Sequence, residues 1–255
     1  PRVRAVFGTD LLWWEALLLI LGGITAGAVN SVAGGGSMLT VPLLVLAGVP
    51  GGEANGSNRV GILTSNVAAV ATFRRLGVEG LVHAARVVVP MLVGGAIGSY
   101  AVANLLDDDT FETVFGLIMV PIIILTVRKP KVRVDATPWS LPAVIAVFLV
   151  IGIYGGAFQA GIGLVLLAAL SRSGFDLVTA NSIKVIVNTA VTMVALPVYI
   201  WQGQVVWLPA IVLAVGLTIG GSLGARLAVF GGEVLIRRVM VVAAVALAGR
   251  LVGLY

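Results

Sequence analysis

Two short polar motifs, one in each half of this 255-residue chain, set a single cation among small hydrogen-bonding side chains. The first occupies residues 54–59 and reads ANGSNR, and the second occupies residues 180–184 and reads ANSIK. Each precedes an apolar stretch, where Ser and Asn are expected to cap a helix. A cation near a helix start opposes the helix dipole, and an anion bound between them removes that conflict. The expected anion ligands are Ser57, Asn58, Arg59, Asn181, Ser182 and Lys184.

The two cations would contribute differently to such a site. The Arg59 guanidinium offers a planar fork of donors to an oxyanion, whereas the Lys184 ammonium is a point charge. Ionisable residues inside a membrane are costly, and they mark transport pathways. The alternative is that both side chains reach to the membrane interface and serve as anchors of orientation.

A glycine-rich break precedes each polar motif. In the first half residues 30–37 read NSVAGGGS, and in the second half residues 159–163 read QAGIG. Irregular backbone at membrane depth is tolerated only inside protein or beside a water-filled cavity. A helix that begins just after the first break directs its positive end at it, which favours an anion, and the alternative is a close-packed kink without a ligand. The expected ligands in the breaks are Asn30, Ser31, Gly34, Gly35, Gly36, Ser37, Gln159 and Gly161.

More polar residues follow on the helices that carry the motifs. Residues 64–66 read TSN in the first half, and Asn188 and Thr189 follow Lys184 in the second. These side chains suit either a polar track through the membrane or hydrogen bonds between helices. We include Asn188 among the candidate ligands.

The remaining ionisable residues predict neither a catalytic nor a metal centre. His83 shares a helical face with Glu79 and Arg86, which suits an interfacial charge cluster or a proton relay. Three aspartates at 107–109, followed by Glu112, are typical of a solvated turn before a helix. The chain has no cysteine, and its sequence shows no metal-ligand spacing and no phosphate-binding loop. We therefore expect no enzyme activity, no metal and no cofactor.

The composition requires that these motifs lie in a membrane protein. Hydrophobic residues make up 59% of the chain, charged residues make up 11%, and the mean hydropathy is +1.11. A water-soluble surface cannot hide that much apolar material. The net charge of +5 comes mainly from basic residues in connections and at span ends, which indicates membrane orientation rather than nucleic-acid binding. We predict an all-α, polytopic transmembrane helix bundle that forms a single membrane transport domain over residues 1–255.

Ten apolar segments are expected to be helices. Two of them, 37–48 and 162–172, are too short at 1.5 Å per residue to cross a hydrocarbon core of about 30 Å. Each short segment should be half of a re-entrant hairpin or of a broken helix, and three spanning helices should follow in each repeat. The expected segments are 11–33, 37–48, 55–74, 80–105, 110–127, 139–158, 162–172, 178–200, 204–229 and 234–254.

The two halves are internal repeats with an offset near 126 residues. Repeat one covers about 11–127, repeat two covers about 139–254, and a basic linker at 128–138 joins them. The positive-inside rule places this linker in the cytoplasm. The glycine-rich runs 94–98 and 220–224 align, and glycines four residues apart let two helices approach closely.

The orientation of the repeats depends on the hairpins. If each hairpin returns to the side it entered from, the two copies are inverted, and the uncharged loop near Trp201 lies outside. If each broken stretch crosses once, the copies are parallel. We favour inversion, which recurs in secondary transporters built around broken helices.

The motifs at 30–42 and 54–59 resemble those of the TauE/SafE family of bacterial and archaeal membrane proteins, often called sulfite exporters. The resemblance covers both halves, although the second break lacks the triple glycine. It implies a multi-pass inner-membrane carrier for small sulfur oxyanions or organosulfonates, such as sulfite, sulfonates or thiosulfate. It also implies transport without ATP hydrolysis, driven by the membrane potential or a proton gradient.

We therefore expect a secondary transporter of a small anion that works by alternating access. Its partners would be the small anionic substrate, the lipid bilayer and a co-transported proton, with no nucleic acid. The alternatives are a channel-like anion pore and a non-transporting membrane scaffold. The sequence leaves the oligomeric state open.

Overall fold

The computed structural model describes residues 11–78, 81–127, 139–172, 175 and 177–251, and this part of the chain is helical without strands. The predicted all-α fold is confirmed. The helices are α1 (Trp13–Ala33), α2 (Ser37–Leu46), α3 (Gly51–Arg75), α4 (Leu81–Leu105), α5 (Asp108–Val127), α6 (Leu141–Ala157), α7 (Ile162–Arg172), α8 (Leu177–Trp201) and α9 (Trp207–Leu251).

Two expectations fall on positions that the structure does not describe. The basic linker 128–138 and Glu79 lie outside the described residues, as do the side chains of His83 and Arg86. The cytoplasmic linker and the interfacial charge cluster therefore stay predictions.

Four helical stretches of the described chain are long and apolar enough to cross a membrane: Trp13–Val32, Val87–Leu105, Val178–Trp201 and Trp207–Gly231. Large apolar side chains such as Phe230 are exposed on the surface of the bundle. Such a surface is stable against lipid and not against water. The chain is a multi-pass membrane protein.

The first glycine break folds α2 back along α1. Gly36, just before α2, lies against Ala26 of α1, and Leu43, near the other end of α2, lies against Gly22. Helix α2 has 10 residues, about 15 Å of length, so it is too short to span the membrane. The expected hairpin at this break is confirmed, and so is the helix start at Ser37.

Each half packs its first helix against a later helix of the other half. Helix α1 packs against α9, and helix α6 packs against α4. The backbones approach closely at the aligned glycines: Gly94 and Gly98 face the backbone of α6, and Gly220 and Gly224 face the backbone of α1. The predicted packing role of these glycines is confirmed. Such a reciprocal exchange is the arrangement that two related halves would give.

Replacement of Gly98 by alanine is expected to destabilise the fold by about 1–3 kcal/mol, because a Cβ there would crowd the backbone oxygen of Ile153. The midpoint of thermal unfolding in detergent measures the effect. Gly116→Ala is the matched control, since a Cβ at Gly116 meets nothing within 4 Å. Equal midpoints for the two variants would contradict the close packing of α4 on α6.

One part of the predicted segmentation is wrong. One continuous helix, α9 (Trp207–Leu251), of 45 residues runs through the expected gap between the segments 204–229 and 234–254. Gly231 and Gly232 lie between the two expected segments, but each costs a helix only about 1 kcal/mol relative to alanine. No proline lies between 210 and 251, so nothing forces the helix to end there.

The predicted helix starts at the polar motifs are also wrong. Helix α3 begins at Gly51, six residues before Ser57, with Pro50 as its extended N-cap. Helix α8 begins at Leu177, four residues before Asn181. Ser57 and Asn181, like their neighbours, therefore lie inside helices and cap neither start.

The acidic turn before α5 is a helix start, as expected. Asp107 Oδ1 accepts a hydrogen bond of 2.9 Å from the backbone amide of Thr110, which is N-cap geometry. Hydrogen bonds from Thr110 lower the pKa of the exposed Asp107. Asp108 Oδ1 accepts a bond of 2.9 Å from the amide of Gly52, so this turn also holds the first turn of α3.

Candidate functional site

The two glycine breaks touch each other inside the bundle. A Cβ on Gly34 would lie closer than 3.0 Å to the Cα of Gly163, and a Cβ on Gly163 would lie equally close to Gly34. Gly34 also has φ +86°, a left-handed conformation that glycine adopts without strain. Because α1 ends just before Gly34 and α7 begins beside Gly163, the two halves meet where a helix of each half is interrupted.

Arg59 caps the carboxyl-terminal end of α6, which belongs to the other half. Its Nη1 donates to the carbonyl oxygen of Gly155 at 3.2 Å, and its Nη2 donates to those of Gly156 and Ala157. These carbonyls lie at the negative end of the helix dipole, where a cation is favourable. The guanidinium carbon also lies 4.4 Å from the centre of the Tyr199 ring, within cation–π range.

Two more side chains complete this cap. Asn55 Nδ2 donates to the carbonyl oxygen of Ala157 at 2.8 Å and to the Tyr199 hydroxyl at 3.0 Å. The Tyr199 hydroxyl donates to the same carbonyl oxygen at 2.8 Å and accepts a bond from Arg59 Nη2 at 3.4 Å. Asn55, Arg59 and Tyr199 are completely buried, and they form what we name the arginine cap.

Lys184 forms a matching cap on the carboxyl-terminal end of α1. Its Nζ donates to the carbonyl oxygen of Asn30 at 2.8 Å and to that of Ser31 at 3.4 Å. Asn181 Nδ2 donates to the carbonyl oxygen of Ser31 at 2.6 Å. Asn181 and Lys184, both buried, form what we name the lysine cap.

The asparagines and the capped carbonyls of the two caps correspond under the repeat offset, whereas the cations Arg59 and Lys184 are 125 residues apart. Asn55 and Asn181 are 126 residues apart, and so are Ser31 and Ala157, whose carbonyls they bind. Each repeated motif therefore holds the interrupted first helix of the other half. The cations lie at the carboxyl-terminal ends of α1 and α6, and the conflict with the start of their own helices that we expected does not arise.

Polar side chains tie α3 to the first hairpin. Asn30 Nδ2 donates to Asn66 Oδ1 at 3.2 Å, and Thr40 Oγ1 of α2 donates to Asn58 Oδ1 at 2.6 Å. Ser37, the first residue of α2, is also buried. The predicted ligands Asn30, Ser37 and Asn58 therefore lie on the three helices that meet at the first break.

The second break is held by a side chain of its own. Gln159 has φ +58°, which is unusual for a residue with a Cβ, and Gly161 follows at φ +68°. Gln159 Nε2 donates to Thr192 Oγ1 of α8 at 2.7 Å, and that hydroxyl donates to the carbonyl oxygen of Asn188 at 2.7 Å. These contacts bring the predicted ligands Gln159, Gly161 and Asn188 into one neighbourhood.

Three predicted ligands stand somewhat apart from these networks. Ser57 Oγ accepts a bond of 2.8 Å from the amide of Val206, so it holds the start of α9. Gly35 lies in the first break, where an added Cβ would make only ordinary contacts. Ser182 is buried next to Asn181 in α8.

The buried charges in the described part of the chain are both positive. Arg59 and Lys184 are the charged residues there that are fully buried, and the hydrogen bonds of both go to neutral groups. The region also holds buried polar atoms without a protein hydrogen-bond partner, which have capacity for a polar ligand. These atoms belong to Ser31, Asn55, Asn58, Arg59, Ser65, Asn66, Gln159, Asn181 and Asn188.

The sequence reasoning left four participants out of the site: Asn55, Tyr199, Thr40 and Thr192. Asn55 repeats as Asn181, a signal that was visible in the motif. Tyr199 aligns with Phe73, but nothing in the sequence connects Tyr199 with Arg59, which lies 140 residues away. Thr40 and Thr192 act through contacts between helices, so only the fold identifies them.

Two of the polar side chains that follow the motifs form hydrogen bonds between helices, which was one of the two alternatives for this region. Asn66 binds Asn30 of α1, and Thr64 accepts a bond of 2.9 Å from Thr218 of α9. Thr189 donates within its own helix, to the carbonyl oxygen of Val185. Ser65, in contrast, is buried with an unpaired hydroxyl.

Comparison with known proteins agrees with the resemblance seen in the motifs. The model of the sulfite exporter TauE/SafE family matches residues 19–251. Similar proteins are probable membrane transporter protein ORF9 of Sinorhizobium sp., 27% identical over 96% of this chain and 95% of its own length, and a probable membrane transporter protein of Haemophilus influenzae, 26% identical over 92% of each. Probable membrane transporter protein YfcA of Escherichia coli K12 is 26% identical over 92% of this chain and 88% of its own.

No solved structure matches the chain. The family match, in contrast, includes both breaks, both caps and all nine helices of the described chain at least in part. The chain therefore belongs to the sulfite exporter TauE/SafE family of membrane transporters.

Proposed function

We propose that this chain is a secondary transporter that moves a small anion across the cell membrane by alternating access. The observation that carries the proposal is the pair of buried cations beside two helix breaks that touch. Arg59 and Lys184 leave the described interior with two positive charges and no buried carboxylate. Buried charge of one sign at broken helices favours a ligand of the opposite sign.

The substrate class that best suits this site is a sulfur oxyanion or an organosulfonate. The family description names sulfite export. An oxyanion of this size presents several acceptor oxygens, which match the unpaired donors Ser31 Oγ and Asn58 Nδ2. We therefore propose sulfite, thiosulfate and small sulfonates as the first anions to test.

The contact between Gly34 and Gly163 suits a pivot. At this contact neither backbone carries a side chain, so the two halves can turn against each other without side-chain collision. We propose that this motion exposes the site alternately to the two faces of the bacterial inner membrane. The membrane potential or a co-transported proton would drive it.

Purified protein in liposomes is expected to show saturable uptake of at least one of three anions: sulfite, thiosulfate and methanesulfonate. The proposal makes no prediction for sulfate. The same series with and without an imposed pH gradient and membrane potential identifies the driving force. Flux that rises linearly with concentration would contradict a carrier and indicate a pore. An absence of flux for every anion would overturn the proposed function.

Arg59→Ala and Lys184→Ala are each expected to reduce this flux to background while the protein still inserts, because each removes one of the two buried charges. Arg74→Ala is the matched control, since Arg74 is an exposed arginine at the end of the same helix, α3. If both variants show normal flux per folded protein, the two cations do not belong to the transport site.

Inverted repeats remain part of the proposal, supported by the reciprocal packing of α1 on α9 and α6 on α4. The chain has no cysteine, so a single Trp201→Cys variant gives an unambiguous label site, and Trp201 is 89% exposed. Inversion predicts labelling of intact cells by a membrane-impermeant maleimide. Labelling only after the membrane is broken would favour parallel copies.

A further inference from the structure

The two caps are related by the repeat but differ in strength. In the arginine cap, both Nη atoms of Arg59 are committed to three carbonyls and the Tyr199 hydroxyl. The Tyr199 ring lies against the guanidinium, and Asn55 binds both Tyr199 and Ala157. A planar, pre-organised guanidinium with this many partners is costly to withdraw.

The lysine cap has fewer contacts. Lys184 Nζ makes one hydrogen bond of normal length, to Asn30, and one long bond of 3.4 Å, to Ser31. The residue aligned with Tyr199 is Phe73, which has no hydroxyl and packs in an apolar cluster with Val32 and Val185. No aromatic hydroxyl equivalent to that of Tyr199 therefore joins the lysine cap.

Lysine is also the better residue for changing partners. Its ammonium rotates freely on a four-carbon stem, and it can move from carbonyls to an anion without breaking a fixed planar geometry. Ser31, whose carbonyl oxygen Lys184 binds, also carries a buried hydroxyl without a protein partner, which can donate to an anion. Replacement of two neutral carbonyls by an anion would give the ammonium a partner of opposite charge.

We propose that Lys184 is the direct ligand of the transported anion, and that Arg59, held by Tyr199 and Asn55, is a positioning residue that keeps the end of α6 fixed. This inference rests on the proposed anion transport. When the anion arrives, Lys184 leaves the carbonyls of Asn30 and Ser31. The end of α1 is then released while the end of α6 stays capped, so the first break moves and the second does not.

The dissociation constant of sulfite for purified protein separates the two roles, with methanesulfonate as a second probe. Lys184→Gln is expected to raise it by about tenfold or more, because a hydrogen bond to a charged group is lost. Arg59→Lys and Tyr199→Phe should leave it within about threefold of the wild type while turnover falls, because they loosen the position of α6 and not the ligand. The inference is overturned if Lys184→Gln binds like the wild type, or if the arginine-cap variants weaken binding as much as Lys184→Gln does.

Hydrogen–deuterium exchange of the unmodified protein provides a test that needs no variant. Saturating sulfite is expected to change exchange in residues 29–37, around the first break, and to leave residues 155–163 unchanged. A change confined to 155–163, or equal at both breaks, would contradict unequal caps. If the wild type neither binds nor transports any of these anions, the proposed function itself fails, which is a different result from binding that does not depend on Lys184.

Discussion

Gly163→Ala is expected to cost about 3 kcal/mol or more of stability and to abolish transport. The added Cβ would lie closer than 3.0 Å to the Cα of Gly34, which is backbone of the other half and has no side chain to move aside. Gly163 lies in helix α7, where alanine is intrinsically favoured over glycine by about 1 kcal/mol. Helix propensity alone therefore predicts a gain in stability, and only the contact between the breaks predicts a loss.

The measurements for Gly163→Ala are the thermal midpoint in detergent and anion flux per folded protein in liposomes. Gly35→Ala is the matched control from the same pair of breaks. Its Cβ would lie 3.7 Å from Leu164 Cδ1 and 3.9 Å from Met38 Sδ, which are ordinary contacts. Should Gly163→Ala prove as stable and as active as Gly35→Ala, the two breaks do not touch in the folded protein.

Arg59→Ala is expected to have the second-largest effect, a loss of about 2–5 kcal/mol together with the loss of flux. It removes the charged partner of three carbonyls at the end of α6 and leaves space beside the Tyr199 ring. Unpaired buried carbonyls cost about 1–3 kcal/mol each, and Asn55 and Tyr199 still satisfy part of that need. The cavity adds to the loss because surrounding side chains relax only partly.

Comparison with the lysine cap makes this prediction sharper. Lys184→Ala is expected to lower the thermal midpoint less than Arg59→Ala, because Lys184 contacts two carbonyls and no side-chain hydroxyl. Arg74→Ala, which removes the same charge at an exposed position, should leave the midpoint unchanged. A larger loss for Lys184→Ala than for Arg59→Ala would show that the arginine cap is not the stronger of the two.

Arg59 and Lys184 were predicted as site residues because a cation near a helix start is unusual, and the fold gives a different explanation for where they lie. The sequence placed Arg59 and Lys184 near predicted helix starts, where a cation is unfavourable unless an anion is bound beside it. In the structure each cation lies at the carboxyl-terminal end of a helix from the other half, where the dipole already favours it. Support for the proposed anion therefore comes from two buried cations without a buried carboxylate in the described chain, and from the unpaired donors near them.

Membrane class, helical fold and the two breaks follow from the sequence alone, because they depend on local properties. Apolar length decides which segments can face lipid, and consecutive glycines decide where a helix can be interrupted. The duplication of the motif also indicated that two equivalent positions exist. The end of a helix is less certain from sequence, as α9 shows, because two glycines weaken a helix without stopping it.

Only the tertiary structure decided what the repeated residues contact. Asn55 and Ala157 are 102 residues apart and Lys184 and Asn30 are 154 apart, so no local pattern can pair them. Packing of each first helix against the other half brings the interrupted ends of α1 and α6 to the opposite motif. The sequence by itself determined that this chain carries two broken helices and two costly cations. The exchange of helices between the halves decided that each cation holds the broken helix of the other half. The physical reason is that buried carbonyls at a helix end need hydrogen-bond donors, and the packing of the halves determines which side chains can supply them.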